Sequence, residues 1–201
     1  GFTHGFGTYV RDSDDDCGFD ASNDPSKIIP TARWFRVSDT GTPAEWGWDG
    51  TTFGNSIWLS HPAAVGPDDT SLFIHPLYNK NLSDFILETK IVFGNTPTYH
   101  GGIKFRWSDY LTRKNVKANG YYVAVSNVGG GNNLRLVKVS NGTSTTIASA
   151  LVTVNALTWH SIKIVATGSN IKVYWDGSLT PQIDYTDPSP ILSGIFGVWQ
   201  Y

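Results

Sequence analysis

The sequence of 201 residues contains no methionine, a single cysteine and only two glutamates. Each shortage excludes something. With no methionine even at position 1, the chain is expected to be a processed or excised product, with an export signal or a flanking region removed. Cys17 stands alone, so an internal disulfide is impossible and the fold must rest on its core. That agrees with export to a prokaryotic cell surface, where disulfide-free folds are ordinary. Glu45 and Glu88 lie far apart in sequence, whereas acid–base glycoside hydrolysis needs two carboxylates about 5 to 9.5 Å apart. No apolar run approaches the roughly 18 residues of a membrane helix, so no span is expected. A net charge of -2 gives no basic field, which argues against nucleic acid as a partner. The histidines, His4, His61, His75, His100 and His160, form no pair at metal-ligand spacing, and no nucleophile elbow appears.

What is present is apolar and aromatic residue in short alternating stretches. The chain is 40% hydrophobic and 13% aromatic but only 16% charged, and its 21 glycines and 10 prolines suit short strands joined by tight turns. One all-β domain over residues 1–201 is expected, a two-sheet antiparallel β-sandwich, since nothing reads as a dividing linker. The clearest stretch runs from Trp159 to Gly177. It alternates on both sides of Gly168-Ser169-Asn170 and closes on Asp176-Gly177, so it reads as a hairpin burying one face of each strand.

That hairpin, with its Trp159-His160 opening and its Tyr174-Trp175-Asp176-Gly177 end, is followed by Gly194-Ile195-Phe196-Gly197-Val198. Together they resemble the C-terminal half of laminin G-like, concanavalin A-like jelly rolls. The similarity is greatest to fructan-type carbohydrate-binding modules and to the domain of 3-keto-disaccharide hydrolases, and it covers roughly residues 84 to 201. The resemblance implies a jelly roll, while the fold itself hosts lectins, glycosidases, lyases and adhesion modules. In the 3-keto-disaccharide hydrolase domain, a small-residue strand entry similar to Gly101-Gly102 keeps backbone clear beside the ligand groove.

Candidate contacts follow from the strand pattern. Alternation in Tyr99 to Trp107 predicts Ile103, Phe105 and Trp107 inward, with Lys104 and Arg106 outward. Tyr122, and Arg135 or Lys138 depending on register, are expected to flank them in a polar, aromatic strip across one sheet. Trp46 and Trp48 are two apart, so on a strand they share a face and could form a platform for a sugar ring, or else fill the space between sheets. With His100 these residues form the expected ligand set: Trp46, Trp48, His100, Lys104, Arg106, Tyr122 and Arg135. Arg106 and Tyr122 are expected to affect binding and to leave stability nearly unchanged.

The segment Asp12 to Asp20 packs Asp12, Asp14, Asp16 and Asp20 around Asp15 and Cys17. Crowded carboxylates suit a hard divalent cation, so these four are candidate Ca2+ ligands, against a solvated acidic turn. The glycine falls one place late for an EF-hand and no glutamate closes the loop. Residues 1–11 carry Phe2, Phe6 and Tyr9, too apolar for a free tail, and are expected to form an edge strand or an arm that docks on its own sheet or on a neighbouring copy. Asn81-Leu82-Ser83 and Asn141-Gly142-Thr143 are glycosylation sequons in turn-like sequence.

Three functions fit these features. The first is a non-catalytic, lectin-like domain of an exported or cell-surface protein, binding an oligo- or polysaccharide. The second is a surface filament subunit that self-assembles through residues 1–11. The third is a polysaccharide hydrolase or lyase, for which neither the laminarinase-type glutamate motif nor the alginate-lyase motifs are present.

Overall fold

The computed structural model describes residues 4–7, 34–38, 45–49, 56–60, 70–74, 82–93, 100–108, 118–126 and 133–200. For the first five of these stretches, and for residues 100 and 200, the description is of the backbone. The strands are β1 (His4–Gly7), β2 (Trp34–Ser38), β3 (Glu45–Asp49), β4 (Ser56–Ser60), β5 (Thr70–Ile74), β6 (Phe85–Val92) and β7 (His100–Trp107). They continue with β8 (Gly120–Ser126), β9 (Asn133–Ser140), β10 (Thr143–Leu151), β11 (Trp159–Thr167), β12 (Asn170–Trp175), β13 (Ile183–Thr186) and β14 (Ile195–Gln200). Two seven-stranded antiparallel sheets result, in the orders β13-β12-β11-β6-β1-β4-β3 and β10-β9-β8-β7-β14-β5-β2. The all-β sandwich expected from the sequence is the fold observed.

The predicted hairpin is β11–β12, with Thr167 opposite Asn170 and Gly168 at φ +53° in the two-residue turn. The sequon Asn141-Gly142-Thr143 forms a second tight turn, between β9 and β10, with both central residues at positive φ. In β11 every second residue is buried, and His160, Ile162, Ile164 and Ala166 form its inner face. These meet Ile171, Val173 and Trp175 of β12 and Ile91 and Phe93 of the β6 segment, with Ile103, Phe105, Tyr121, Val123, Leu134 and Leu136 opposite. Burying such side chains is worth about 1.5 to 3 kcal/mol each, which is how a chain without disulfides holds two sheets together. Phe105 stacks on Tyr121 at 5.5 Å and meets Phe85 edge-on at 5.7 Å.

β1 departs from expectation. It is neither an edge strand nor a loose arm, because it lies inside the first sheet, with Phe6 opposite both Ile57 of β4 and Ile91 of β6.

The second departure is in β7. Ile103 and Phe105 face the core as predicted, but Arg106 has φ +48°, and β7 takes three steps along the chain, Lys104 to Trp107, where β14 takes two, Ile195 to Gly197. This bulge shifts the alternation by one place. Trp107 therefore turns away from the core and joins Ala118, Val139 and Ile195 on the outer face. Arg106 is 1% exposed rather than outward. Its Nε and Nη2 donate to the Ser83 carbonyl at 2.9 and 2.6 Å, and Nη1 donates to the carbonyls of Gly168 and Ile191 at 2.8 and 3.1 Å. Asp84 lies 3.5 Å away. The side chain thus ties the β7 bulge to the entry of β6 and the β11–β12 turn, across the two sheets. Gly194 allows the close approach there, since a Cβ at that position would sit 2.3 Å from the Arg106 carbonyl carbon.

Candidate functional site

The outer face of the second sheet is built from cross-strand rows. Lys104 opposes Tyr122, which opposes Val137, and Gly102 opposes Ala124, which opposes Arg135. On the other side of β7, Gly102 opposes Trp199 of β14. Gly102 leaves this row without a side chain. No other residue fits there, because a Cβ would lie 1.8 Å from the Val123 carbonyl oxygen.

Lys104 is fully buried, with Nζ 4.5 Å from the Trp107 ring centre and 5.6 Å from that of Trp199. The two indoles present π-faces to the ammonium, an attraction that strengthens when water is excluded. Tyr122 meets Trp199 edge-on at 4.8 Å and is half-buried. Arg135, on β9 and three strands from Trp199, is also half-buried. Lys104, Trp107 and Trp199 are all buried, and Tyr122 and Arg135 are the members of this group that reach solvent. Tyr122 can stack on the apolar side of a flat ring, and Arg135 can donate charge-assisted hydrogen bonds to hydroxyl or carboxylate groups.

The predicted site residues divide. Lys104, Tyr122 and Arg135 do share this face, and the backbone of His100 ends the same strand row, opposite Ser126. Arg106 does not join them, since its guanidinium is engaged by carbonyls inside the sandwich. The expected outward polar strip is corrected accordingly: its centre is buried and largely apolar, and Lys104 is enclosed. Lys138, the alternative to Arg135, faces the interior, where it pairs with Asp187 at 2.8 Å. Trp46 and Trp48 lie on β3, at the edge of the first sheet and opposite Leu59 and Ile57, so they belong to the other sheet. Asp12, Asp14, Asp16 and Asp20 lie outside the described residues. Among the described residues no cluster of three or more His, Cys, Asp or Glu could hold a metal.

Sequence reasoning missed Trp107 and Trp199 as members of this face. The alternating pattern sent Trp107 inward because the bulge at Arg106 has no glycine to announce it. Trp199 was readable in principle, lying two places beyond Gly197 and four beyond Ile195 on β14.

His160 has a structural role. Its Nδ1 pairs with Asp176 Oδ2 at 2.8 Å, its Nε2 accepts from the Asn155 backbone N–H at 3.0 Å, and its ring stacks on Trp175 at 4.8 Å. The other Asp176 oxygen accepts from the Ser161 N–H at 2.9 Å, so Trp-His and Asp-Gly clamp the two ends of the hairpin together.

Residues 47–194 match the sequence profile of the 3-keto-alpha-glucoside-1,2-lyase-like domain. The chain belongs to that family. The strands of this lyase-like domain that frame the outer face, β7 to β9, fall within the matched span. In three dimensions the chain is similar to the carbohydrate-binding module CBM66 from Bacillus subtilis, with TM-score 0.62 and 22% identity over 84% of this chain and 87% of that one. It is also similar to a Bacillus subtilis protein with a galectin-like fold (TM-score 0.59, 14% identity, 83% and 82% covered). A third similar structure is a glycosidic hydrolase (TM-score 0.52, 11% identity, 88% and 80% covered). At these identities the likeness shows a shared fold. Among proteins with curated descriptions, none matches the chain.

Proposed function

We propose that this lyase-like domain binds carbohydrate on the outer face of its second sheet, holding an oligo- or polysaccharide rather than cleaving it. Tyr122 and Arg135 are the reachable contacts, and Lys104, Trp107 and Trp199 form the floor that orients them. The observation that carries the reading is the fully buried lysine held against two indoles on the outside of a sheet. A core selected for stability alone would place an apolar side chain there, because burying an ammonium costs several kcal/mol before its partners offset it. Departures of this kind from local rules concentrate at functional sites. The family description, which names a glucoside, and the fold shared with a carbohydrate-binding module support the same ligand class.

The reading goes with an exported or cell-surface protein, where polysaccharide is met. Calcium at Asp12, Asp14, Asp16 and Asp20 is part of the proposal as a stabiliser of the domain. A glycan array on the purified protein, run with calcium and again with chelator, tests both. A defined hit is expected, and Tyr122→Ala and Arg135→Ala each weaken it by about 1 to 3 kcal/mol through lost stacking or charge-assisted bonding. A hit that disappears with chelator assigns the calcium. A blank array, or a hit indifferent to both substitutions, would overturn the site.

A further inference from the structure

The outer face of the first sheet carries an open cleft of about 500 Å³, on the opposite side of the molecule from the Lys104 face. Its construction follows from register. Lys163 is directly opposite Glu88 on one side and Tyr174 on the other, and one row along, Lys90 is opposite Ser161. These side chains stand on the solvent side of β6, β11 and β12, whose alternate residues are in the core. The segment after β12, Gly177 to Leu179, walls the cleft, and the Leu179 side chain on that wall is 98% exposed.

The charges do not cancel. Lys163 Nζ lies 2.8 Å from Glu88 Oε1, and this bond raises the Lys163 pKa, so that pair is ionised and neutral as a unit. Among the described residues that line the cleft, Lys90 is the charged side chain outside that pair and adds one positive charge. Beside that charge stand the Ser161 hydroxyl, the half-buried Tyr174 ring and the apolar Leu179. A ring to stack on, an apolar rim, hydroxyl-bonding groups and the Lys90 cation in one cleft of about 500 Å³ match a sugar unit bearing a carboxylate. A neutral sugar would leave Lys90 without a use, and a simple anion would leave Tyr174 and Leu179 without one.

We propose that this cleft is a second carbohydrate site, selective for uronic acid units, with Lys90 receiving the carboxylate and Tyr174 and Leu179 receiving the ring. It extends the carbohydrate reading to a second face but is tested separately from it. The probe is a short oligogalacturonate, compared with its fully methyl-esterified form, in titrations followed by backbone amide NMR shifts. The free acid is expected to move amides around residues 88–90, 161–163 and 174–179. Lys90→Gln is expected to weaken the free acid about five- to tenfold and to leave the ester unchanged. Tyr174→Ala weakens both forms. Equal binding of acid and ester would overturn the carboxylate assignment. Shifts confined to β7–β9 and β14, or none at millimolar probe, would overturn the cleft while leaving the Lys104 face to stand or fall on its own array result.

Discussion

Arg106 shows how much one residue's backbone angle can reverse. Its place in an alternating strand reads as surface, yet φ +48° turns it into the sandwich, where four hydrogen bonds reach the carbonyls of Ser83, Gly168 and Ile191. Burial lowers its pKa, against the raising influence of Tyr121 and Asp84, but a guanidinium stays charged at any working pH. Removing it takes the donors from three part-buried carbonyls, those of Ser83 before β6, Gly168 in the β11–β12 turn and Ile191 between β13 and β14. Arg106→Ala is therefore expected to cost about 3 to 5 kcal/mol of folding stability, read as a fall in the urea midpoint. Arg106→Lys should recover only part of that loss, because an ammonium cannot span the carbonyls that the planar fork reaches. An Arg106→Ala protein as stable as the parent would show that these bonds merely replace equivalent ones to water. The same residue marks the limit of reading the sequence. Periodicity correctly assigned Ile103 and Phe105, but a bulge seated on an arginine leaves no trace in the pattern, and Trp107 was misplaced with it.

Between elements, legibility depended on how local the signal was. The β11–β12 hairpin was readable because a two-residue glycine turn and strict alternation are both properties of neighbouring residues. The partnership of Lys138 with Asp187 was not, since 49 positions of chain separate them and only the assembled sandwich brings them within 2.8 Å. Asp187 gathers three elements. It accepts from the Tyr121 hydroxyl of β8 at 2.6 Å and pairs with Lys138 of β9, and its other oxygen accepts from the Ser189 N–H at 2.8 Å. Tyr121 in turn accepts from the Ile191 N–H, and burial together with the Asp187 bond pushes its pKa well up, so the phenol stays protonated as a donor. For Asp187 burial acts to raise the pKa, but the hydrogen bonds from Lys138, Tyr121 and Ser189 outweigh it, and the net shift is downward. A carboxylate held below its ordinary value near 4 stabilises the fold at pH above that value, and the contribution is lost as pH falls through the lowered one. Stability should therefore decline as the pH is taken from about 5 to 3, and Asp187→Asn should flatten that decline while costing about 2 to 3 kcal/mol at pH 7. An acid limb of the same steepness in Asp187→Asn would place the titration elsewhere.

At the scale of the whole molecule, the two faces and the N-terminal strand follow from one topology. The first sheet depends on β1, which is the sole link between β6 and β4 in the strand order, although it holds only three paired positions on each side. Strands β11 to β13 stand on one flank of it and β4 with β3 on the other, so its loss would expose two facing strand edges and split the sheet. Such a slot invites an equivalent strand from another chain, the mode of association that an apolar arm at residues 1–11 suggests from sequence. Deleting residues 1–11 is expected to lower the melting temperature and to produce concentration-dependent oligomers, measured by size-exclusion chromatography at two concentrations. A synthetic peptide of residues 1–11 added in trans should restore both the monomer and the melting temperature, because β1 makes its ladder without needing a covalent link to β2. If the intact chain itself associates and the deletion abolishes that association, the strand is exchanged between copies and the filament reading gains over the monomeric one. If the deletion leaves stability and size unchanged, β1 does not complete the sheet, and the first sheet must close directly between β6 and β4.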